Sequence, residues 1–207
     1  MHAFTKQSKL AILLLAAGQG ARLGNRAKAL IRKEGISLIE HFWNASKELG
    51  AHECVTVLGF YADQVSPLAE KYSQVVINSH PELGQSSSVR LGLEALQSEF
   101  DLLLVALVDQ PNISERELQL LIDKTHSIPE NYDAIIPCYQ GQRGNPVLFS
   151  RKAIQEILAT PNQDCREWLD FNSGRSYFVE MPYSAYIVDV DTQDDLQREC
   201  LQMPSLA

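Results

Sequence analysis

Two short, continuous apolar runs restrict the fold of this chain more than any other feature. Residues 10–17 read LAILLLAA and residues 102–108 read LLLVALV, and neither run alternates apolar with polar positions. A strand with one face in water alternates, whereas a strand buried on both faces is continuously apolar and is typical of a parallel sheet covered by helices. The runs therefore predict an α/β protein, and both are far shorter than the roughly 20 apolar residues that span a bilayer.

The rest of the chain alternates between strand and helix patterns. Further strands are predicted at residues 54–58, 74–77, 134–136, 146–149, 177–181 and 186–190, and helices at 38–49, 62–72, 87–97, 115–125, 152–158 and 193–200. This order implies right-handed crossovers and one sheet. Since no Pro/Gly/Ser-rich linker interrupts it, we predict a single domain over residues 1–207 with a mostly parallel, Rossmann-like sheet flanked by helices. Two helices are predicted to begin with capping boxes, Ser114 to Glu117 and Thr192 to Asp195.

Charge is distributed unevenly along the chain. The first 33 residues contain seven Lys and Arg and no acid, although the net charge is -8. An acidic protein is not expected to bind nucleic acid or an anionic membrane. Lys6 and Lys9 before an apolar run have the order of a secretory signal, but the run is short and no A-x-A site follows it. We therefore expect a local anion site in a cytoplasmic protein.

Cysteines and histidines show no spacing typical of a metal or redox site. Cys54, Cys138, Cys165 and Cys200 lie far apart without a C-x-x-C pair. Their spacing leaves disulfide pairing open, and we expect reduced thiols. The five histidines form no H-E-x-x-H pattern and no Cys/His ligand pattern, so zinc has no support.

A glycine loop follows the first apolar run. Residues 18–24 read GQGARLG, and glycines let a backbone turn tightly and bring N–H groups to phosphate oxygens. The loop does not fit G-x-G-x-x-G, because its third glycine is one residue late, nor the P-loop pattern, because Leu23 stands where glycine is required. Arg22 and Lys28 suit a polyphosphate better than a dinucleotide. The alternative is a strand-to-helix turn with basic side chains in solvent.

Three acids end predicted strands, at the sheet edge where open α/β sheets bind ligands. Asp109 follows the second apolar run, and Asp189-Val190-Asp191 ends the strand predicted at 186–190. Carboxylates at such positions suit Mg²⁺, which prefers oxygen ligands and combines one or two carboxylates with substrate phosphates. We predict Asp109 and Asp191 as metal ligands, with Asp189 as a further candidate. The alternative is that Asp191 or Thr192 only caps the next helix.

Two other loops are candidates for substrate contact. Residues 84–88 read GQSSS, and we expect Ser86 and Ser87 to contact the ribose or base of a nucleotide; the alternative is that Ser87 or Ser88 caps the helix. Residues 141–146 read GQRGNP and either cover a substrate or form a plain hairpin.

Taken together, these segments resemble the MobA-like nucleotidyltransferases, in particular the molybdenum cofactor cytidylyltransferase branch. The matching segments are LLLAAGQGARLGNRAKAL, GQSSSVRLGL, VALVDQP, GQRGNPVLF, CREWL and DVDTQDDL, in the family's order. The resemblance implies a fold of the nucleotide-diphospho-sugar transferase type. It also implies a triphosphate held by Arg22 and Lys28, Mg²⁺ on Asp109 and Asp191, and a nucleotide site formed by Leu15, Ala16, Ala17, Gly18 and Gly20.

Some residues depart from the family pattern. Asn145 stands where many relatives have His in a GHP motif, VDQP replaces GDMP, and the stretch around residues 164–166 is shortened. Ala17, where the guanylyltransferase branch has glycine, is similar to the CTP-using branch. Because of these departures, the resemblance identifies the nucleotide more firmly than the second substrate.

The resemblance implies a Mg²⁺-dependent transfer of CMP from CTP to the terminal phosphate of a molybdopterin-type cofactor, with release of pyrophosphate. Arg22, Lys28 and Asp109 would be the catalytic residues, and a molybdoenzyme would be a further partner. The alternatives are a GTP-dependent guanylyltransferase or an enzyme with another phosphorylated acceptor. An alternative of a different class is a non-catalytic cofactor carrier that docks to a molybdoenzyme. A dehydrogenase is disfavoured because the dinucleotide fingerprint fails.

Overall fold

The structure, a computed structural model, describes residues 8–129, 131–161 and 163–204, so Lys6 lies outside the described residues. The ten strands of this described part are β1 Leu10–Ala16, β2 Arg32–Lys33, β3 Ile36–Ser37, β4 Glu53–Leu58, β5 Gln74–Ile77, β6 Leu102–Leu107, β7 Ala134–Tyr139, β8 Gln142–Arg143, β9 Val147–Ser150 and β10 Ser176–Glu180. Its α-helices are α1 Leu38–Ser46, α2 Ala62–Ala69, α3 Gln85–Ala95, α4 Glu115–Thr125, α5 Arg151–Ala159, α6 Cys165–Phe171 and α7 Gln193–Arg198.

The central sheet has the strand order β10-β7-β9-β6-β1-β4-β5, with β8 paired to β7. Strand β1 lies between β4 and β6 and is parallel to both, so that Ile12 is opposite Cys54 on one side and Leu104 on the other. Strand β9 is antiparallel to both of its neighbours. Strands β2 and β3 form a separate two-stranded sheet. The predicted fold class, a mostly parallel α/β sheet, is therefore confirmed.

Both faces of β1 are buried, which explains its continuous apolar sequence. Ile12 and Leu14 pack into a core layer with Phe42 and Trp43 of α1. Leu13, on the opposite face, belongs to a second layer with side chains of α3, α5 and α6. Alternate side chains of one strand thus enter two cores.

The prediction of a strand at residues 186–190 is wrong. Residues Ser184–Ile187 form a 3-10 turn, and the following residues run across the ends of the sheet strands. The carbonyl oxygen of Tyr186 accepts from the Asn145 backbone N–H and from Gln110 Nε2, both at 2.9 Å. Val190 N donates to Asp109 O at 3.0 Å. Tyr186 and Val190 are buried here, and the segment is held by contacts with loops and not by a sheet ladder.

Local signals elsewhere agree with the structure. Both predicted capping boxes are present, from Ser114 to Glu117 and from Thr192 to Asp195. Helix α6 is an addition to the predicted set. The four cysteines, all among the described residues, form no disulfide. Within the same residues, none of the helices has the length and apolar character needed to cross a membrane.

The segment after α7 fastens two loops next to the strand ends. Gln202 and Arg32 exchange both backbone hydrogen bonds, at 2.8 and 2.9 Å. Asn112 Nδ2 donates to Glu199 Oε2 at 2.7 Å, and Lys33 Nζ donates to Asn112 Oδ1 at 2.7 Å. Residues 199–202 therefore hold the chain just after Lys28 against the chain just after Asp109.

Candidate functional site

Lys28 lies between two acids at the carboxyl edge of the sheet. Its ammonium donates to Asp109 Oδ2 at 2.7 Å and to Asp191 Oδ1. Only 14% of the Lys28 side chain and 20% of the Asp109 side chain are exposed. Three of the predicted site residues, far apart in sequence, are thus in direct contact.

The charge state of this cluster follows from its geometry. Burial alone would lower the pKa of Lys28, but the attraction of Asp109 and the hydrogen bonds to Asp109 and Asp191 outweigh it and raise the pKa above its usual value. Burial raises the pKa of Asp189, and repulsion by Asp109 and Asp191 raises it further. The Lys28 ammonium therefore contacts two of three neighbouring carboxylates, and the third, that of Asp189, ionises less readily than usual.

Arg22 contacts one of these acids, Asp191, from the glycine loop. Its Nη1 lies 3.2 Å from Asp191 Oδ2, and 73% of its side chain is exposed. The loop leads into a 3-10 turn at Ala21–Leu23 and not into an α-helix. Arg22 is thus largely in solvent, as the strand-to-helix alternative expects of basic side chains, whereas Lys28 is held by two carboxylates.

Two glycines of the loop have different structural roles. Gly20 has φ +62, and a Cβ there would lie 2.2 Å from the Arg26 carbonyl oxygen. The Gly20 carbonyl also accepts from the N–H groups of Leu23 and Asn25. A Cβ at Gly18, by contrast, would meet nothing within 4 Å. Gly20 is required by the loop itself, whereas Gly18 borders open space.

A cavity of about 310 Å³, here called the first cavity, opens beside Lys28 and Asp109. Its walls come from the end of β1, from residues 60–88 and from the end of β6. It is lined by Leu15, Ala16, Ala17, Gly18, Gln19, Lys28, Phe60, Pro81, Gly84, Gln85, Ser88, Leu107, Val108 and Asp109. Six predicted site residues line it, while Gly20, Arg22, Ser86, Ser87 and Asp191 do not.

A second cavity, of about 630 Å³, adjoins the first, and Leu15, Gln85 and Leu107 line both. It extends from the end of β6 toward β9, β7 and α6. Residues 143–145 line it, so the GQRGNP loop does contribute to a cavity wall. Asn145 and residues 164–166, which depart from the family pattern, all lie here.

The serines after Gly84 do not cap α3. The helix begins at Gln85, two residues before Ser87, and Gly84 at its N-cap makes no side-chain cap. Ser87 Oγ donates instead to Gly84 O at 2.8 Å. The capping alternative is therefore wrong. Ser86 lines the second cavity, and Ser87 lines a separate depression with Leu83 and Arg90.

Asn78 organises this region and is absent from the predicted site. It is 3% exposed, and its Nδ2 donates to Ser87 Oγ at 2.8 Å and to Ser88 Oγ at 3.0 Å. Its Oδ1 accepts from the His80 backbone N–H at 2.9 Å. The available signal is its position, since a polar residue directly after β5 lies at the carboxyl edge of the sheet.

The acids at the site suit a metal that arrives with a phosphorylated substrate. Asp109 Oδ1 is buried and has no hydrogen-bond partner in the described part of the chain. Among residues 8–129, 131–161 and 163–204, no three His, Cys, Asp or Glu side chains are grouped so that they could hold a metal ion. Two carboxylates completed by phosphate oxygens form a typical Mg²⁺ site, and the residues present fit such a site.

Comparison with known proteins finds matches over most of this chain. A family model described as the MobA-like NTP transferase domain matches residues 12–176. The nicotine blue oxidoreductase of Paenarthrobacter nicotinovorans is 41% identical over 200 residues, which cover 90% of this chain and 94% of that protein. The molybdenum cofactor cytidylyltransferase of Escherichia coli K12 is 26% identical over 191 residues, 91% of this chain and 94% of that protein.

Other relatives are longer or more distant. The bifunctional protein GlmU of Rubrobacter xylanophilus is 33% identical over 121 residues, which cover 58% of this chain and 26% of that protein, so the match spans about a quarter of its length. Among solved structures, Rv0371c of Mycobacterium tuberculosis H37Rv has a TM-score of 0.75 at 24% identity, with 92% and 97% of the two chains covered. Its complex with manganese has a TM-score of 0.71 at 22% identity, with 93% and 98% covered. These structures have the same fold.

Proposed function

The chain belongs to the MobA-like NTP transferase family, and from this premise we propose that it is a cytidylyltransferase which moves CMP from CTP to the terminal phosphate of a molybdopterin-type cofactor. The observation that carries the proposal is the contact of Lys28 with Asp109 and Asp191, beside the first cavity, which Lys28 and Asp109 line.

The two cavities suit two substrates. The first cavity borders the glycine loop and would take the nucleotide; the second would take the acceptor. Asp109 follows β6, whose Leu107 lines both. An α-phosphate next to Asp109 would therefore lie within reach of a phosphate entering from the second cavity.

The reaction needs no general base. A phosphate monoester has a second pKa of about 6 and is largely a dianion at neutral pH. One of its oxygens attacks the α-phosphorus of CTP, the bond from that phosphorus to the bridging oxygen breaks, and pyrophosphate leaves with the electron pair. The main obstacles are the repulsion between anions and the alignment of the two substrates.

Cationic side chains of this protein would reduce the repulsion between the two anionic substrates. Lys28, which donates hydrogen bonds to Asp109 and Asp191, would contact the triphosphate, and Arg22 would reach the departing pyrophosphate from the loop. The backbone N–H groups around Gly18 would bind phosphate oxygens. Nucleotidyltransferases of this family generally use a divalent metal; Asp109 and Asp191 would hold Mg²⁺, which would supply charge neutralisation and polarise the phosphates.

The preference for CTP rests on Ala17. Ala17 lines the first cavity, and a Cβ at Gly59 would lie 2.7 Å from its carbonyl oxygen, so the two segments are closely packed. A methyl group at position 17, where the guanylyltransferase branch has glycine, leaves less room for a purine.

The test measures pyrophosphate after incubation with Mg²⁺, molybdopterin cofactor and each NTP separately. We expect release with CTP; release with GTP alone would overturn the assignment of the base. Asp109→Asn should abolish release, whereas Asp123→Asn, an exposed acid on α4, serves as the matched control. Release at a near-normal rate by Asp109→Asn would remove Asp109 from the site. Absence of NTP binding would instead favour the cofactor carrier.

A second candidate function is an oxidoreductase, which the 41% identity to nicotine blue oxidoreductase over 90% of this chain favours. Such an enzyme requires an electron donor, and the first cavity with its glycine loop would take the pyrophosphate of a reduced nicotinamide dinucleotide. The failed dinucleotide fingerprint speaks against it. Oxidation of NADH or NADPH by an artificial dye acceptor, without any NTP, would favour this function over the transferase.

A further inference from the structure

The walls of the second cavity indicate what its ligand is made of. Strands β6, β7 and β9 supply an apolar floor, and α3 and α6 supply the sides. The apolar side chains are Val89, Val105, Ile136, Val147, Phe149 and Leu169, and all of them belong to the same core layer. Neighbouring strands of a sheet present a broad, nearly flat surface, so a flat and mainly apolar ring system fits this floor.

The charged residues of this cavity are not equally available to a ligand. Arg143 Nη1 lies 2.7 Å from Asp170 Oδ1, and its guanidinium lies 5.1 Å from the ring centre of Phe178. Asp164 Oδ1 accepts from the Glu167 backbone N–H at 2.9 Å. Three of the four charged side chains therefore already have partners.

Arg166 is the exception. It is exposed and lines the cavity, and over the described ranges of the chain its guanidinium has no hydrogen bond and no ion pair. A guanidinium presents several N–H donors in a fixed plane and binds carboxylates and phosphates through paired hydrogen bonds. The cavity thus combines an apolar floor with one available cation.

We propose that the second cavity binds a flat heteroaromatic acceptor that carries an anionic group, and that Arg166 selects for this anion. The proposal rests on the proposed function, because it assigns the second cavity to the acceptor. It goes beyond that function in naming the recognition residue and the second recognised group. This group is distinct from the phosphate that reacts beside Asp109.

The test compares two fluorescent probes in equilibrium titrations without any NTP. Pterin-6-carboxylate has the ring and the anion, and 6-hydroxymethylpterin has the ring alone. We expect the wild-type protein to bind the carboxylate about tenfold more tightly, since a charge-assisted pair discriminates to about this extent. Arg166→Ala should bring the two affinities together, and Arg166→Lys should restore part of the difference.

Two further variants make the result specific. Lys71→Ala removes an exposed cation elsewhere and should keep the wild-type preference. Asp109→Asn should also keep it while pyrophosphate release is lost, so that failure of the acceptor site and failure of the transferase proposal can be distinguished. The inference is overturned if Arg166→Ala retains the preference for the carboxylate, or if the wild-type protein binds neither probe.

Discussion

The ammonium of Lys28 lies 2.7 Å from Oδ2 of Asp109, a residue 81 positions further along the chain. The same ammonium donates to Asp191. One cation thus joins the loop after β1, the end of β6 and the segment before α7. Because both acids are the proposed metal ligands, the Lys28 ammonium balances part of their negative charge.

Removing this cation should affect both activity and stability. In Lys28→Met, two partly buried carboxylates lose their shared partner, and we expect a loss of about 1–2 kcal/mol in the free energy of unfolding, less than for a fully buried pair. Pyrophosphate release should fall at least about 100-fold. Urea unfolding checks the first effect. Adding Asp109→Asn should recover part of the stability, and an unchanged unfolding midpoint in Lys28→Met would contradict the assignment.

The two loop glycines should respond differently to alanine. Gly20→Ala places a Cβ 2.2 Å from a carbonyl oxygen at φ +62, so we expect a loss of about 2 kcal/mol in unfolding free energy. Gly18→Ala meets no atom within 4 Å and should leave the melting temperature unchanged, yet weaken NTP binding about tenfold because its methyl group occupies the first cavity. Thermal unfolding and NTP titration measure the two effects. Equal melting temperatures for both variants would refute this distinction.

Asp189 should destabilise the fold at neutral pH. Burial and the nearby Asp109 and Asp191 raise its pKa in the folded protein, so the stability gained by protonating it is present below its unfolded pKa of about 3.9 and is lost as pH rises through the folded value. Asp189→Asn should therefore melt at a higher temperature than wild type at pH 7, with a smaller difference at pH 4. Differential scanning calorimetry at both pH values tests this, with Glu48→Gln as the control. A difference that grows on acidification would have the wrong sign.

Arg175 holds α6 in place through Glu156 of α5 and Asp133. It donates to both Glu156 oxygens at 2.9 and 3.0 Å and to Asp133 Oδ2 at 2.8 Å. Arg175→Met should lower the free energy of unfolding by about 1–3 kcal/mol. Lys152→Met removes a more exposed contact with Asp133, at 3.4 Å, and should cost less than about 1 kcal/mol. Urea titrations compare them, and equal losses would contradict the assignment.

The same cluster should produce an acid-dependent loss of stability. Hydrogen bonds from Arg175 lower the pKa of Glu156. For Asp133, burial acts to raise the pKa, but hydrogen bonds from Ser150 and Arg175 lower it overall. Lowered values stabilise above the unfolded pKa of about 4 and lose that effect as pH falls through the folded values. Wild-type stability should thus decline more steeply below pH 4 than that of Arg175→Met, as urea midpoints between pH 5 and 3 would measure.

The fold could be predicted largely because burial leaves a direct mark on sequence. The runs at β1 and β6 are continuously apolar since both of their faces enter a core layer. Tyr186 and Val190 are buried as well, but their segment is held by hydrogen bonds from Gln110 and Asn145 to the Tyr186 carbonyl. An apolar pattern indicates that side chains are buried, but it does not indicate which groups the backbone hydrogen-bonds to. The sequence therefore could not distinguish this segment from a strand.

The candidate site was predictable where a residue's position at a strand end sufficed. Lys28 and Asp109 follow from the glycine loop and the end of β6, whereas Asp191 is predicted from a strand that the structure does not contain. The structure still brings all three into contact; their chemical roles remain predictions. Asn78 was missed because its importance depends on Ser87 and Ser88 lying beside it. The second cavity was also beyond sequence reasoning, since three strands and two helices enclose it together.

The clamp between residues 199–202 and the loops around Arg32 and Asn112 bears on how the protein is synthesised. Strands β1, β4, β5 and β6 are complete once residue 107 has been made, so the parallel half of the sheet can assemble on the ribosome. The hydrogen bond from Lys28 to Asp191 and the backbone pairing of Arg32 with Gln202 can form only after residues 191–202 have emerged. A nascent chain can therefore have its parallel strands folded before Lys28 has both of its carboxylate partners, so that the proposed site is completed after the centre of the sheet.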